Sequence, residues 1–167
     1  MHAKSLLHHL IEAAADRDPE PIAVVSGSIR ASYGELQTPP ARFRAGLVGL
    51  GLARGERVAL YLDKRVEFVT AAFGTSAVGG VFVPVNPILK AEQVGHILRD
   101  CEVRVLVTTV DRLAALGDAL AACHDLRQVV LIGSPAERPT VQGASVHLWD
   151  ELMAAPPAAC HRAIDSD

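Results

Sequence analysis

Apolar residues recur every three or four positions in several segments of the chain, a spacing that predicts helices with one buried face. Short runs rich in valine, isoleucine and leucine separate these segments and predict strands. The helices are predicted over residues 5–17, 65–78, 91–100 and 111–122, and the strands over residues 57–62, 81–83, 103–107 and 128–132. Because strands alternate with helices, we expect an α/β fold with a mostly parallel sheet flanked by helices.

A β-hairpin is predicted between the first helix and this sheet. Residues 22–25 and 29–32 are two β-rich runs on either side of Ser26-Gly27-Ser28. Two such runs around a glycine-containing turn are typical of a hairpin. The α/β part of the chain is therefore preceded by an N-terminal helix and a β-hairpin.

Ser32 and Glu35 have the spacing of a capping box, in which each side chain accepts a hydrogen bond from the other residue's backbone N–H. This box predicts a helix that continues to about Val48. Pro39 and Pro40 fall within it, and an interior proline removes a hydrogen bond and clashes with the preceding turn, at a cost of about 3 kcal/mol. We therefore expect the helix to be kinked or to restart at Pro40.

The composition changes near residue 133. Residues 134–167 are richer in proline, alanine and small polar residues, and residues 146–149 are their only strand-like piece. We predict an α/β subdomain over residues 1–133 and a loop-rich tail over residues 134–167.

Charge and cysteine content narrow the possible functions. Half of the residues are hydrophobic and the formal net charge is -3, so the basic excess that nucleic-acid binding requires is missing. Cys101, Cys123 and Cys160 are odd in number and lack C-x-x-C spacing, which favours a reducing compartment over a disulfide framework. We expect a cytoplasmic protein that binds no nucleic acid.

The uncharged residues 68–89 are numerous enough to span a bilayer. However, Gly79, Gly80, Pro84 and Pro87 would interrupt a spanning helix and leave backbone groups unpaired in lipid. We predict a buried helix, a turn and a buried strand here, with no membrane span.

The sequence offers no catalytic motif. Gly46, Gly49, Gly51 and Gly55 follow a predicted helix and precede a strand, whereas a dinucleotide-binding loop follows a strand and opens a helix. The histidines lack the spacing of a metal site, and neither G-x-S-x-G nor G-x-x-x-x-G-K-[ST] occurs. We assign no catalytic, cofactor-binding or metal-ligating residue.

Four segments nevertheless resemble one family. Residues 76–90, SAVGGVFVPVNPILK, are similar to a stretch of the adenylate-forming enzymes, which include acyl-CoA synthetases, luciferases and the adenylation domains of peptide synthetases. SYGEL at 32–36, RGERVALYL at 54–62 and EQVGHILRDCEVRVLVTT at 92–109 resemble other parts of that family in the same order. The resemblance implies the N-terminal subdomain of the adenylate-forming fold, and it is strongest to the acyl-CoA ligases encoded beside bacterial exosortase systems.

The central segment also has a physical interpretation as a structural motif. Gly79 and Gly80 can end a helix with positive φ, and the following VFV is predicted to be a buried strand. Pro84, Asn86 and Pro87 then fix the exit of the chain before the next helix. Asn86 either stabilises this turn or lines a path for substrate or CoA.

The resemblance implies a parent reaction in which a carboxylic acid and ATP form an acyl-adenylate and pyrophosphate, after which the acyl group passes to CoA. In the family, ATP and Mg²⁺ require a Gly/Ser/Thr-rich loop followed by P-K-G, and catalysis requires a lysine from a C-terminal domain. Neither is present in this sequence. In the family, a run such as residues 164–167 is followed almost immediately by an alanine-isoleucine-tyrosine strand and then that loop, so we expect an N-terminal part that is inactive alone.

Three hypotheses follow. The first is this truncated acyl-CoA ligase, and Pro39 and Pro40 further suggest a decaying or frame-shifted gene. The second is a non-catalytic module that partners the rest of a split ligase or forms a homo-oligomer, because surfaces normally covered by that remainder would favour association. The third is a small-molecule binder that retains part of an acyl or CoA groove.

Overall fold

The structure is a computed structural model that describes residues 6–154. Its helices are α1 (His9–Arg17), α2 (Thr38–Gly49), α3 (Val66–Ala77), α4 (Ala91–Asp100), α5 (Val110–Leu116) and α6 (Trp149–Ala154). Its strands are β1 (Ile22–Ser26), β2 (Ile29–Ser32), β3 (Arg57–Tyr61), β4 (Val81–Pro84), β5 (Val103–Thr109), β6 (Gln128–Ile132) and β7 (Ser145–Leu148). None of the helices in this part of the chain is long and apolar enough to cross a membrane.

Five strands form a parallel sheet in the order β4-β3-β5-β6-β7. Alternate residues of the central strands face opposite sides, as the pleat of a strand requires. In β3, Val58 and Leu60 pack beneath α2, α3 and α6, whereas Ala59 and Tyr61 pack beneath α4 and α5. The predicted α/β fold, with a parallel sheet covered by helices on both faces, is confirmed.

The predicted hairpin is also present, as a separate antiparallel pair of β1 and β2. Ala31 on β2 packs against Ile11 of α1 and Leu36, and this small apolar cluster lies against α3. The hairpin and α1 therefore attach to the outside of the sheet domain rather than extending its sheet.

The helix predicted from Ser32 begins later than expected. The reciprocal capping bonds form, with the Ser32 N–H donating to Glu35 (2.8 Å) and the Glu35 N–H donating to the Ser32 hydroxyl (3.3 Å), but they stabilise turns. Because Pro39 and Pro40 have no N–H, the hydrogen-bond ladder cannot continue, and α2 starts afresh at Thr38.

The two prolines therefore occupy the first turn of α2, where helix N–H groups have no helical partner anyway. The prediction of a helix continuing from Ser32 is wrong, and its alternative, a restart near Pro40, agrees with the structure. The suggestion of a decaying gene relied on Pro39 and Pro40 lying inside a helix. Because they lie in its first turn, they no longer support that suggestion.

Two further expectations are corrected. The strand predicted as buried, β4, lies at the edge of the sheet, so Val81 is 50% exposed. The helix predicted over residues 111–122 ends at Leu116, because Gly117 adopts φ +45° and a short 3-10 turn follows (Gly117–Leu120). The apolar stripe of that segment is nevertheless buried at Leu113, Leu116 and Leu120.

The hydrophobic core extends past residue 133. Strand β7 is hydrogen-bonded in parallel to β6, and the Trp149 ring of α6 stacks on Phe43 of α2 with 5.1 Å between ring centroids. Leu152 is buried against the same helix, at Gly46. The division at residue 133 stays a prediction, and the rest of the predicted tail, residues 155–167, lies outside the described residues.

Candidate functional site

The carboxyl ends of β3, β4 and β5 meet at one edge of the parallel sheet. Ligands of open α/β sheets bind in the crevice outside this edge, because loops there are free to vary while the strands hold them in place. The segment that follows β4, residues 85–90, is the second half of the motif found in the sequence. We call it the carboxyl-edge loop.

The glycines of the motif position β4 for this role. Gly79 follows the end of α3 with φ +78°, a conformation that only glycine adopts without strain. The Gly80 N–H donates to the Thr75 carbonyl (2.9 Å) and closes the helix end. A Cβ at Gly80 would lie 3.0 Å from side-chain atoms of Leu52 and Thr75, so this second glycine permits close packing.

Pro84 ends β4 at the sheet edge, where a residue without N–H is tolerated. The Asn86 side-chain oxygen then accepts the Ile88 N–H (3.1 Å), and the Leu89 N–H donates to the Asn86 carbonyl (3.2 Å). These bonds correspond to the turn-stabilising role considered for Asn86. Its alternative role, lining a path for substrate or CoA, stays a prediction.

Side chains from β3 and α5 hold the carboxyl-edge loop against the sheet. The Tyr61 hydroxyl donates to the Leu89 carbonyl (3.0 Å), and the Arg112 guanidinium donates to the Pro87 carbonyl (2.6 Å). Arg112 also pairs with Asp63 (2.8 Å) and lies 5.0 Å from the centroid of the Tyr61 ring. Two elements of the fold, β3 and α5, therefore converge on this loop.

The charge of Arg112 is permanent. Partial burial opposes the charged form, but the hydrogen bond and charge of Asp63, together with Tyr61, outweigh it and raise the pKa of Arg112. Arg112 is 20% exposed and Asp63 is 66% exposed, so the pair lies at the mouth of the edge rather than in the core. A fixed cation with a π contact can position the loop, but it supplies neither a general base nor a nucleophile.

No catalytic constellation accompanies this loop among residues 6–154. No group of three histidine, cysteine or acidic residues there could hold a metal ion. Cys123 is buried, its thiol donates to backbone carbonyls of Gly95 and Ala119, and burial raises its pKa, which disfavours the reactive thiolate. Among the described residues, the site holds a loop in place by hydrogen bonds and provides no group that would activate a substrate.

Sequence inspection found the motif from Gly79 to Pro87 but missed Tyr61, Asp63 and Arg112. Arg112 and Asp63 are separated by 49 positions along the chain, and in the loop Arg112 contacts a main-chain oxygen, which leaves no trace in a motif. The sequence feature that could have pointed to Tyr61 and Asp63 is their position at the end of a predicted strand.

A family model described as "AMP-binding enzyme" matches residues 11–164. Malpinin synthetase of Mortierella alpina is 31% identical over 140 residues, which are 84% of this chain and 2% of that protein. The 4-hydroxybenzoate–CoA/benzoate–CoA ligase of Rhodopseudomonas palustris is 32% identical over 139 residues, 83% of this chain and 26% of the ligase.

Solved structures agree on the fold. The coronafacic acid ligase of Pectobacterium brasiliense superimposes with a TM-score of 0.83 at 19% identity, over 93% of this chain and 30% of that one. The chain thus spans about a quarter of the CoA ligase's length and a far smaller part of the synthetase's. Since the family model covers most of the sequence, the chain belongs to the AMP-binding family of adenylate-forming synthetases and ligases.

Proposed function

We propose that this chain is the N-terminal part of an AMP-forming acyl-CoA ligase and has no adenylating activity by itself. The observation that carries the proposal is the extent of the match. The family model reaches residue 164, whereas the aligned region is only 26% of the benzoate–CoA ligase's length. The parent reaction would convert a carboxylic acid, ATP and CoA into acyl-CoA, AMP and pyrophosphate.

The residues present do not fit ATP and Mg²⁺. The sequence contains no P-K-G after a Gly/Ser/Thr-rich loop, and the described residues contain no acidic or histidine cluster suited to a metal. We therefore derive no catalytic step from this chain. ATP, Mg²⁺ and CoA would bind only where the remainder of the ligase is present.

The proposal that CoA is the thiol acceptor goes further than the family assignment. The relatives are not all CoA ligases, since syringomycin synthase SyrB1 matches as well as the benzoate–CoA ligase. The motif at residues 76–90 and its likeness to acyl-CoA ligases support the CoA branch, and the exosortase-associated subgroup stays a prediction within it. A cytoplasmic location is part of the same proposal, because Cys101 and Cys123 are free thiols.

Acid-dependent exchange of pyrophosphate into ATP tests the absence of activity. The purified chain should give no exchange with benzoate or fatty acids, while the full-length R. palustris ligase serves as the positive control with benzoate. Leu47→Asp places a charge in the core, where Leu47 is 0% exposed, and should prevent folding. Exchange by the chain that disappears in this variant would overturn the proposal, whereas exchange that persists identifies a contaminant.

A second candidate function is a non-catalytic module that complements the rest of a split ligase. The β4 edge favours it, because Val81 is 50% exposed and Ile88 in the carboxyl-edge loop is 82% exposed. Large apolar side chains that are exposed along a sheet edge and in the loop that follows it are suited to an interface. The partner would be a polypeptide that carries the ATP loop, or a second copy of this chain.

Co-expression with the remaining part of an adenylate-forming ligase tests this module. Ile88→Glu should abolish co-purification, because it places a charge in the proposed interface. Val25→Glu is the matched control, since Val25 is 58% exposed on the hairpin, which is a separate sheet from the one that contains β4. Failure of the unmodified chain to co-purify, or equal loss in both variants, contradicts the complementation function.

A further inference from the structure

A cleft of about 410 Å³ lies on the α4–α5 side of the sheet, between α5 with its 3-10 turn and residues 135–142. Its volume falls within the ordinary range of small-molecule sites. Val110, Leu113, Leu120 and Val141 form apolar walls. Leu113 and Leu120 are core residues against which Val110 and Val141 pack, so the apolar wall of the cleft is part of the core of the domain.

The polar groups of the cleft are acidic or neutral. Asp118 on the 3-10 turn and Glu137 on the facing loop contribute carboxylates, while Thr140 and Gln142 contribute uncharged polar groups. None of the described residues that line the cleft is lysine, arginine or histidine. Neither carboxylate belongs to an ion pair within residues 6–154.

The nearest basic residue in sequence is engaged elsewhere. Arg138 follows Glu137 directly, but its guanidinium donates to the Val146 carbonyl (3.2 Å) and pairs with Glu151 (2.5 Å). The cleft is therefore apolar inside and negatively charged where two separate elements face each other. A ligand that matches both properties has an apolar body and a positive charge.

We propose that this cleft binds an organic ammonium ion with an apolar body of about the size of a phenyl group. The apolar body is removed from water between α5 and the loop, and the ammonium group meets the carboxylates of Asp118 and Glu137. A carboxylic acid, the substrate class of the proposed ligase function, would be repelled here. The proposal is thus independent of that function and concerns a cleft between the segments that follow β5 and β6 rather than the carboxyl-edge loop.

Three probes with the same ring and similar chains separate the contributions: 2-phenylethylammonium, 2-phenylethanol and 3-phenylpropanoate. Titrations followed by ¹H–¹⁵N NMR should move resonances of residues 110–121 and 135–142. The cation should bind about fivefold more tightly than the alcohol, as expected for one partly exposed ion pair, and the anion most weakly. Equal affinity of the three probes, absent binding, or shifts confined to other residues would overturn the proposal.

Two double variants test whether the preference for the cation arises in the cleft. Asp118→Asn with Glu137→Gln should remove the preference for the cation and leave 2-phenylethanol unaffected. Glu20→Gln with Asp150→Asn is the control, because it removes the same net charge from exposed positions outside the cleft. A loss of preference in the control would show nonspecific attraction and contradict the site.

Filling the cleft provides a separate test of shape. Ala114 lines the cleft from the exposed surface of α5, so Ala114→Phe should block all three probes without disturbing the core. Circular dichroism shows whether Ala114→Phe is folded. If it is not, the variant with Asp118→Asn and Glu137→Gln still tests the proposal. Undiminished binding by folded Ala114→Phe would refute the cleft as the binding site.

Discussion

The contact between Gly46 and Leu152 determines how α6 joins the domain, and Gly46→Ala tests it. A Cβ on Gly46 would lie 2.7 and 2.9 Å from the two methyl carbons of Leu152, so either the Leu152 side chain or α6 would have to move. Alanine gains up to about 1 kcal/mol of helix propensity over glycine. Overpacking a core costs about 1–3 kcal/mol. We expect this cost to exceed the gain in helix propensity, so Gly46→Ala should lower the free energy of unfolding by about 1–2 kcal/mol.

Gly49→Ala is the matched control in the same helix. A Cβ there meets nothing within 4 Å, so the propensity gain should remain and stability should be unchanged or slightly higher. Leu152→Ala alone should cost about 2–5 kcal/mol because Leu152 is buried. In the double variant with Gly46→Ala, the alanine at 152 makes room for the new methyl group, so Gly46→Ala should no longer destabilise that background.

Urea unfolding of the four variants measures these differences. Trp149 is the only tryptophan and lies on α6, so its fluorescence reports the docking of that helix directly, while circular dichroism reports the whole domain. Coincident transitions mean that α6 unfolds with the sheet, and separate ones mean that it undocks first. If Gly46→Ala is as stable as Gly49→Ala, the packing argument is refuted.

Three further changes are predicted to affect stability in urea titrations. Arg112→Met loses its charge-assisted bonds to Pro87 and Asp63 and should cost about 1–3 kcal/mol, whereas the exposed Arg30→Met should be near neutral. Gly79→Ala forces a side chain into positive φ and should cost about 1–2 kcal/mol, and an unchanged midpoint would contradict this. For Glu67, burial acts to raise the pKa of the carboxyl group, but the hydrogen bond from Arg65 prevails and lowers this pKa below 4.5. The ionised Glu67 therefore stabilises the fold fully above pH 4.5, and this stabilisation is lost as the pH falls through the lower pKa of the folded state. Glu67→Gln should flatten this part of the pH dependence of stability.

The parallel sheet was predictable from the sequence because it depends on periodicity. Residues 91–100 carry an apolar stripe on one face, and the observed α4 has those bounds. The order of the strands was not predictable, since β3 lies between β4 and β5 although it precedes both in the chain. That order also makes β4 an edge strand, so a short apolar run alone could not show whether Val81 is buried.

The starts and ends of helices depended on single residues. The capping box at Ser32 forms as expected, but the prolines decide where α2 starts. Gly117 similarly ends α5 because it adopts positive φ. In the site, the motif glycines were evident from the sequence, whereas the contacts of Arg112 required the fold to bring α5 beside the end of β4.

Apart from the buried Val85 and the partly buried Leu89, the carboxyl-edge loop is held mainly through its main chain. Tyr61 and Arg112 donate to the main-chain oxygens of Leu89 and Pro87, and within the loop only Asn86 uses its side chain for the turn. Ile88 is therefore kept at a defined place, 82% exposed, without contributing appreciably to the core. Substitutions at Ile88 should leave folding nearly unchanged, so any effect they have on assembly with a ligase partner can be attributed to contact at this loop rather than to lost stability.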